Sequence, residues 1–329
     1  MSRPSYLSIL TILFLSWATG VGSATDYSFT TIDVPGSFNT LVFGINNAGQ
    51  MVGNHLASPT GPNQGFLDSG GTFTSINVPF VGSTGTSALG INNTGDIIGL
   101  YGDTTGSHGF LDSRGNFSTL NVPFAAATNT EPRAINDAGQ IVGSYKNGTG
   151  NNAGFLYSSG SFSTLTLPFT GVQSTLANGI NNRGDIAGSY FDATGYHGFL
   201  DTKGSFSTLN VPFAGVTNTV VNGINNHGDI VGNYGDATGT HAFVETGGTF
   251  SPLNVPFAVG VGGISVSVAY GVNDVGKIVG VYGDSSIHPH GFLATPIPEP
   301  GSLFLLASGL AALAGIKRKS KKYEHSSER

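Results

Sequence analysis

A ten-residue phrase written six times constrains this chain more than any other feature. It runs GINNAGQMVG from Gly44, GINNTGDIIG from Gly90, AINDAGQIVG from Ala134, GINNRGDIAG from Gly179, GINNHGDIVG from Gly223 and GVNDVGKIVG from Gly271. Its isoleucine or valine recurs at 45, 91, 135, 180, 224 and 272, a period of 44 to 48 residues. A second phrase follows each copy: QGFLDS, HGFLDS, AGFLYS, HGFLDT, HAFVET and HGFLAT. A third, FTSINVPF from Phe73, returns with small changes from Phe117, Phe162, Phe206 and Phe250. Each period therefore holds four strand-sized segments separated by turn chemistry. Asn-x-Gly supplies the first reversal, because asparagine and glycine tolerate the left-handed backbone of a short hairpin loop. Pro-Phe stops the fourth segment, since proline cannot donate to a ladder. Four strands in about 45 residues is the size of a propeller blade.

The count of the third phrase bears on how such an array ends. Five copies follow a Gly-Phe-Leu segment, and a sixth, FTTIDVPG from Phe29, stands alone ahead of the first repeat. The last Gly-Phe-Leu, Gly291–Leu293, has no such strand after it. The expectation is an all-β, six-bladed β-propeller of four-stranded repeats over residues 25–296, closed by its N-terminal strand. Residues 27–34 would then pair with the strand that contains Phe292. A β-solenoid or sandwich array has no use for complementary ends, and closure removes edges that invite aggregation.

Composition agrees with this and excludes several functions. Only 10% of residues are charged, and 51 of 329 are glycine, which suits short strands and tight turns. The absence of cysteine rules out disulfides, thiolate metal sites and a cysteine nucleophile. Residues 25–296 carry six basic side chains against sixteen acidic ones, and the other seven basic residues are Arg3 and those beyond Ile316. An acidic body without a basic cluster does not suit nucleic acid.

The two ends have the character of addresses. Arg3, the apolar stretch Leu7–Trp17, and small residues Gly22 and Ala24 describe a signal peptide over 1–24, cut between Ala24 and Thr25. At the other end, Pro298, Glu299 and Pro300 precede an uncharged apolar run, Leu303–Ile316, which is followed by Lys317, Arg318, Lys319, Lys321 and Lys322. As a helix that run measures about 21 Å, so it would cross a membrane only with its basic end held at the cytoplasmic face as a stop-transfer signal. Residues 297–322 in this order resemble the PEP-CTERM sorting signal, with Ile297 where valine is usual. Residues 323–329 would form a short cytoplasmic tail. The resemblance implies export through the secretory translocon and transient anchoring in the inner membrane by one transmembrane helix. Processing by an exosortase would follow, in a Gram-negative bacterium that makes exopolysaccharide. The mature protein would be secreted or held at the cell surface, in contact with the biofilm matrix and its exopolysaccharide.

The repeats resemble the HAF family of extracellular repeats, which join Ile-Asn-x-x-Gly-x-Ile-Val-Gly to a following His-Ala-Phe-Leu. His241, Ala242 and Phe243 match literally, while His108, His197 and His290 precede glycine instead of alanine. This resemblance implies no activity.

One polar constellation recurs before the third strand. It pairs Asp103 with His108, Asp192 with His197, Asp236 with His241 and, at longer spacing, Asp284 with His290. A ring of such pairs at one mouth could hold a cation or a glycan. The same spacing also describes an Asp-capped turn with a histidine at the strand start, and the turn is expected. The Asn-Asn-x-Gly-Asp turns are too short to wrap calcium, and Gln50, Gln140 and Lys277 replace their aspartate. No cofactor or metal is expected.

Catalytic motifs are missing from the sequence: it has no Gly-x-Ser-x-Gly elbow, no His-Glu-x-x-His and no phosphate loop. Glu131, Arg133, Arg183 and His227 are the polar departures from the repeat, and Glu131 and Glu245 are the body's two glutamates. The sequence points to a non-enzymatic envelope or matrix protein. The alternative is a glycan-binding propeller, which needs Tyr101, Tyr190, Tyr234 and Tyr282 exposed as platforms; a propeller hydrolase or lyase has less to stand on.

Overall fold

A computed structural model describes residues 26–259, 265–285 and 288–298, and every regular element among them is a β-strand. The expected signal peptide with its Ala24–Thr25 cut lies outside the described residues. So do Glu299, Pro300, the Leu303–Ile316 run, the basic cluster of Lys317, Arg318 and Lys319, and the tail 323–329. Among the described residues no helix is long and apolar enough to cross a membrane.

The chain opens with β1 (Tyr27–Ile32). An antiparallel sheet follows in chain order: β2 (Asn39–Ile45), β3 (Met51–Leu56), β4 (Gln64–Ser69) and β5 (Thr72–Ile76). The pattern repeats in β6 (Gly85–Ile91), β7 (Asp96–Asp103), β8 (Gly106–Ser113) and β9 (Asn116–Leu120). A third sheet holds β10 (Thr128–Ile135), β11 (Ile141–Lys146), β12 (Asn152–Ser158) and β13 (Ser161–Leu165). A fourth holds β14 (Ser174–Ile180), β15 (Ile186–Asp192), β16 (Gly195–Thr202) and β17 (Ser205–Leu209).

The remaining strands are β18 (Asn218–Ile224), β19 (Ile230–Asp236), β20 (Gly239–Thr246), β21 (Thr249–Pro252), β22 (Ser265–Val272), β23 (Ile278–Gly283) and β24 (Pro289–Pro296). They form a mixed sheet in which a two-residue parallel bridge, Gly239 to Ser265 and Thr240 to Val266, joins β20 to β22. Its far edge is β1, which pairs antiparallel with β24, Phe29 opposite Ala294 and Thr31 opposite Phe292.

Apolar layers lie between successive sheets. The second strand of each unit contributes Val52, Ile98, Val142, Ala187, Val231 or Val279 to the layer shared with the next, and Val279 packs with Val42, Ile45 and Phe66 of the first sheet. The Gly-Phe-Leu phenylalanines, Phe66, Phe110, Phe155, Phe199, Phe243 and Phe292, are at most 1% exposed. Burying each ring contributes about 1.5–3 kcal/mol relative to leaving it in water. Each stands directly across the ladder from a glycine, Gly53, Gly99, Gly143, Gly188, Gly232 or Gly280. A Cβ at Gly188 would lie 2.1 Å from the Leu176 carbonyl oxygen and 2.9 Å from the Phe199 ring. The glycine that ends each Ile-Val-Gly step, constant in all six units, is therefore a demand of close packing.

One position of the repeat differs beneath the segment that follows β1. Tyr101, Tyr145, Tyr190, Tyr234 and Tyr282 occupy equivalent places, and His55 takes the sixth. His55 is buried and its Nδ1 meets Ser37 Oγ at 2.7 Å. Burial holds its pKa below 6.5, because desolvation disfavours the charged ring.

Gly188→Ala should destabilise the protein by at least about 2 kcal/mol, since a rigid carbonyl cannot yield to the new methyl; denaturant melts check it. His55 binds its proton more weakly folded than unfolded. Its stabilising effect is complete above pH 6.5 and is lost as pH falls through the lower folded value. Asp201 and Glu245, pushed up by burial, act in the opposite sense at nearby pH, so the comparison must be with a variant. Between pH 7 and 5 the wild-type melting temperature should fall relative to that of His55→Phe, and parallel curves would contradict the assignment.

Candidate functional site

The inner ends of the units meet in two rings of hydrogen bonds. In each turn the first asparagine uses its Oδ1 to cap the reversal: Asn92 Oδ1 accepts from Thr94 N at 3.1 Å and Asp96 N at 2.8 Å. Its Nδ2 donates forward to the backbone carbonyl of the next turn. The bonds run Asn46 to Asn92, Asn92 to Asn136, Asn136 to Asn181, Asn181 to Asn225, Asn225 to Asn273 and Asn273 back to Asn46, at 3.0–3.2 Å.

The second residue of each turn makes a parallel set. The backbone N–H of Asn47, Asn93, Asp137, Asn182, Asn226 and Asp274 donates to the side-chain Oδ1 of its neighbour in the next unit, and Asp274 donates to Asn47. Asp137 Oδ2 also accepts from Asn93 and Asn182, and Asp274 Oδ2 from Asn47 and Asn226. These hydrogen bonds outweigh burial and hold both carboxyls below the ordinary carboxylate range.

Beyond the asparagines an axial cavity opens. Each innermost strand carries a bulge just before the Gly-Ile step, for example between Val42 and Gly44 and between Ala177 and Gly179. The bulged residues are Phe43, Leu89, Arg133, Asn178, Asn222 and Tyr270, and all six line a cavity of about 120 Å³. A bulge re-aims a side chain out of the pleat, which is how six equivalent strands present five residue types to one cavity. Sequence reading singled out only Arg133 of this set. The available signal was the variable residue ahead of each Gly-Ile-Asn.

Arg133 Nη2 meets Glu131 Oε2 at 2.7 Å, while its Nε is shielded from water with no acceptor. Asn178 Nδ2 donates to Val221 O at 2.8 Å, and Asn222 Nδ2 to Ala269 O at 2.9 Å. Tyr270 and Phe43 meet edge to face with centroids 5.0 Å apart. Burial raises the Tyr270 phenol pKa, and the nearby positive charge of Arg133 draws it partly back.

The Asp/His loops do not converge. Asp103 Oδ1 accepts from Thr105 N and Oγ1, both at 2.6 Å, and lies 3.0 Å from His108 Nε2, all within one hairpin. These bonds lower the Asp103 pKa to about 2. Asp192 with His197 (3.2 Å) and Asp236 with His241 (3.1 Å) repeat the arrangement. His290 lies 3.4 Å from Asp284 and 2.9 Å from Asp33. Among the described residues no three histidine or acidic side chains could share a metal ion.

The imidazoles pack over Tyr101, Tyr190, Tyr234 and Tyr282 at 5.1–5.3 Å between centroids. Phenylalanines of the Pro-Phe steps, such as Phe80 against Tyr101, pack against these tyrosines too. All four tyrosines are buried, between 5% and 8% exposed, so they are not the open platforms that glycan binding at the loops requires.

The remaining single-copy polar residues have local duties. Glu245 caps its own turn through Gly248 N, as Asp68, Asp112 and Asp201 do in theirs. Arg183 bonds Asp185 at 2.8 Å and reaches the Asn226 carbonyl of the next turn. His227 N donates to Asn225 Oδ1. Glu131 and Glu245 stand on different strands, β10 and β20, with different partners.

Residues 296–319 match the PEP-CTERM protein-sorting motif. The match begins at Pro296, the last residue of β24. Such a motif implies export toward the cell envelope of a Gram-negative bacterium and fits processing by an exosortase. No curated protein matches the sequence. Among solved structures the chain is similar to a fucose-specific lectin from Aleuria aurantia, at 10% identity and TM-score 0.48 over 81% of this chain and 100% of that one. It is also similar to AofleA from Arthrobotrys oligospora, at 12% and 0.46 over 85% and 86%. A third is the β-propeller domain of the trilobed protease from Pyrococcus furiosus, at 8% and 0.47 over 79% and 98%. Likeness at this level speaks to neither ligand nor activity.

Proposed function

We propose that this chain is an exported, non-enzymatic repeat protein whose body is a closed six-bladed β-propeller of HAF-type repeats. The body is delivered to the cell surface or exopolysaccharide matrix by its C-terminal signal. The observation that carries the reading is the sorting motif beginning at the residue where the last strand stops. A body that folds after export can then be severed from its anchor without losing a strand. Closure is supported by the β1–β24 ladder and by amide rings that return from Asn273 and Asp274 to Asn46 and Asn47. The non-enzymatic reading is supported by Glu131 and Glu245 being engaged separately, in an ion pair and a turn cap.

Two experiments test this. The chain has no cysteine, so a pair introduced by Ser28→Cys and Thr295→Cys is unambiguous. These residues are register partners across β1 and β24, and antiparallel partners lie about 4.5–5.5 Å apart, within disulfide range. An intrachain bond should form quantitatively under mild oxidation, and free thiols on a folded chain would rule out closure. For sorting, the mature protein should lose its C-terminal segment in a host that carries an exosortase. Changing Pro298, Glu299 and Pro300 to alanine should leave a larger, membrane-bound form by mass spectrometry and fractionation. An intact tail on the final wild-type protein would replace the sorting reading with a plain membrane anchor.

A further inference from the structure

The axial cavity is where this chain departs from its own repetition, and its wall is divided. Taken in chain order around the axis, Tyr270, Phe43 and Leu89 are contiguous and apolar or aromatic, and Arg133, Asn178 and Asn222 complete the circle. Asn178 Nδ2 donates to a backbone carbonyl, and Asn222 Nδ2 to a backbone carbonyl and to Asn233 Oδ1; these partners can only accept, so each Oδ1 is left as an acceptor beside the cavity. Arg133 spends one N–H of Nη2 on Glu131, its Nε is buried, and its remaining Nη hydrogens are the donors it can offer a ligand. The polar half thus offers two acceptors and the Nη donors, and Glu131 offsets the guanidinium charge.

That inventory selects a ligand class. A carboxylate or phosphate brings only acceptors and would meet the two free Oδ1 atoms and Glu131 unfavourably. A neutral polyol brings O–H groups that donate to Asn178 and Asn222 and accept from Arg133, and one ring face of C–H bonds suits an aromatic wall. At about 120 Å³ the cavity is smaller than the 150 Å³ or so that admits benzene, so it takes one terminal sugar ring seated in part, with the rest of a glycan outside. We propose that the axial cavity binds one neutral pyranose, the terminal sugar of a glycan, with its C–H face on Phe43 and Tyr270 and its hydroxyls on Arg133, Asn178 and Asn222. This rests on the closed-propeller reading, because a ring is what brings the six bulged residues together. It also moves glycan binding from the Asp/His loops, whose tyrosines are buried, to the axis.

Calorimetry on the full chain in detergent, with glucose, galactose, mannose, fucose and glucuronate, tests the proposal. At least one neutral sugar should bind, and glucuronate should bind at least tenfold more weakly than that sugar. Tyr270→Leu, which removes the platform without removing a hydrogen bond between described residues, should weaken binding at least tenfold. Leu89→Trp, which fills the cavity and touches no polar group, should abolish it. Arg133→Met should also weaken binding tenfold, and where that variant melts early the other two stand in its place. His197→Gln, in a loop, should bind as wild type does.

Preferential binding of glucuronate overturns the neutral-sugar assignment. Unchanged affinity in Leu89→Trp moves any binding off the axis and overturns the site. A chain that closes the Ser28→Cys/Thr295→Cys disulfide but binds none of these sugars overturns the pocket alone. One that fails to close it removes the propeller reading beneath the pocket.

Discussion

The first asparagine of each Asn-Asn turn has one carboxamide, and the arrangement of the units depends on how its two ends are used. The oxygen turns back to cap its own hairpin, and the nitrogen reaches forward to the next turn's carbonyl. Only a short arm carrying an acceptor and a donor on two separate atoms can do both, whereas an ionised aspartate has no donor and serine has a single oxygen. Each such bond is worth about 0.5–1.5 kcal/mol net, and more is lost when a buried partner is left unpaired. The asparagines are 3–4% exposed, so the penalty applies in full. The same amide nitrogen also meets Gln50, Asp96, Gln140, Asp185 or Asp229 four residues on. Any side-chain oxygen of suitable reach serves there, which is why aspartate and glutamine interchange freely. Lys277, in the sixth unit, supplies no oxygen at all.

Close approach around this hub sets the small residue ahead of each Ile-Asn or Val-Asn, glycine in five units and Ala134 in the third. A Cβ at Gly44 would come within 3.1 Å of Gly90 Cα, and one at Gly179 within 3.1 Å of Gly223 Cα. The strand glycines admit the buried phenylalanines, and together these pairs build the apolar layers between sheets. The residue lifted out of the pleat by the bulge is among those free to vary, as is the third residue of each turn. Repetition marks what the fold requires, and one of its exceptions surrounds the axis.

The acidic side chains, numerous as they are, are mostly spent on the backbone. Asp68, Asp112, Asp201 and Glu245 cap the turn before the fourth strand, and Asp103, Asp192 and Asp236 cap the turn before the third. Much of the body's negative charge arises from turn construction. The histidines that looked like ligands have their nitrogens beside those caps and their faces on tyrosine.

The sequence by itself determined the strands, their turns and the partner of the N-terminal strand. Alternation, Asn-x-Gly reversals and proline stops are local signals, and six copies average out the accidents of any one. The unpaired Phe-Thr-Thr-Ile-Asp-Val segment found its complement, β24, by counting alone. The Asp-capped turn was also legible, since Asp103, Thr105 and His108 are near neighbours in the chain. Only the tertiary structure decided where the tyrosines went, what the second asparagine bonds and which six residues face the axis. Each of these depends on how one sheet is set against the next. Tyr101 is buried by Phe80 from the crossover segment after β5, and Asn93 meets Asp137 from the following unit. The bulge at Phe43, Leu89, Arg133, Asn178, Asn222 and Tyr270 breaks the two-residue period on which strand reading relies. A pattern that assigns faces by alternation could not show that these side chains share one cavity.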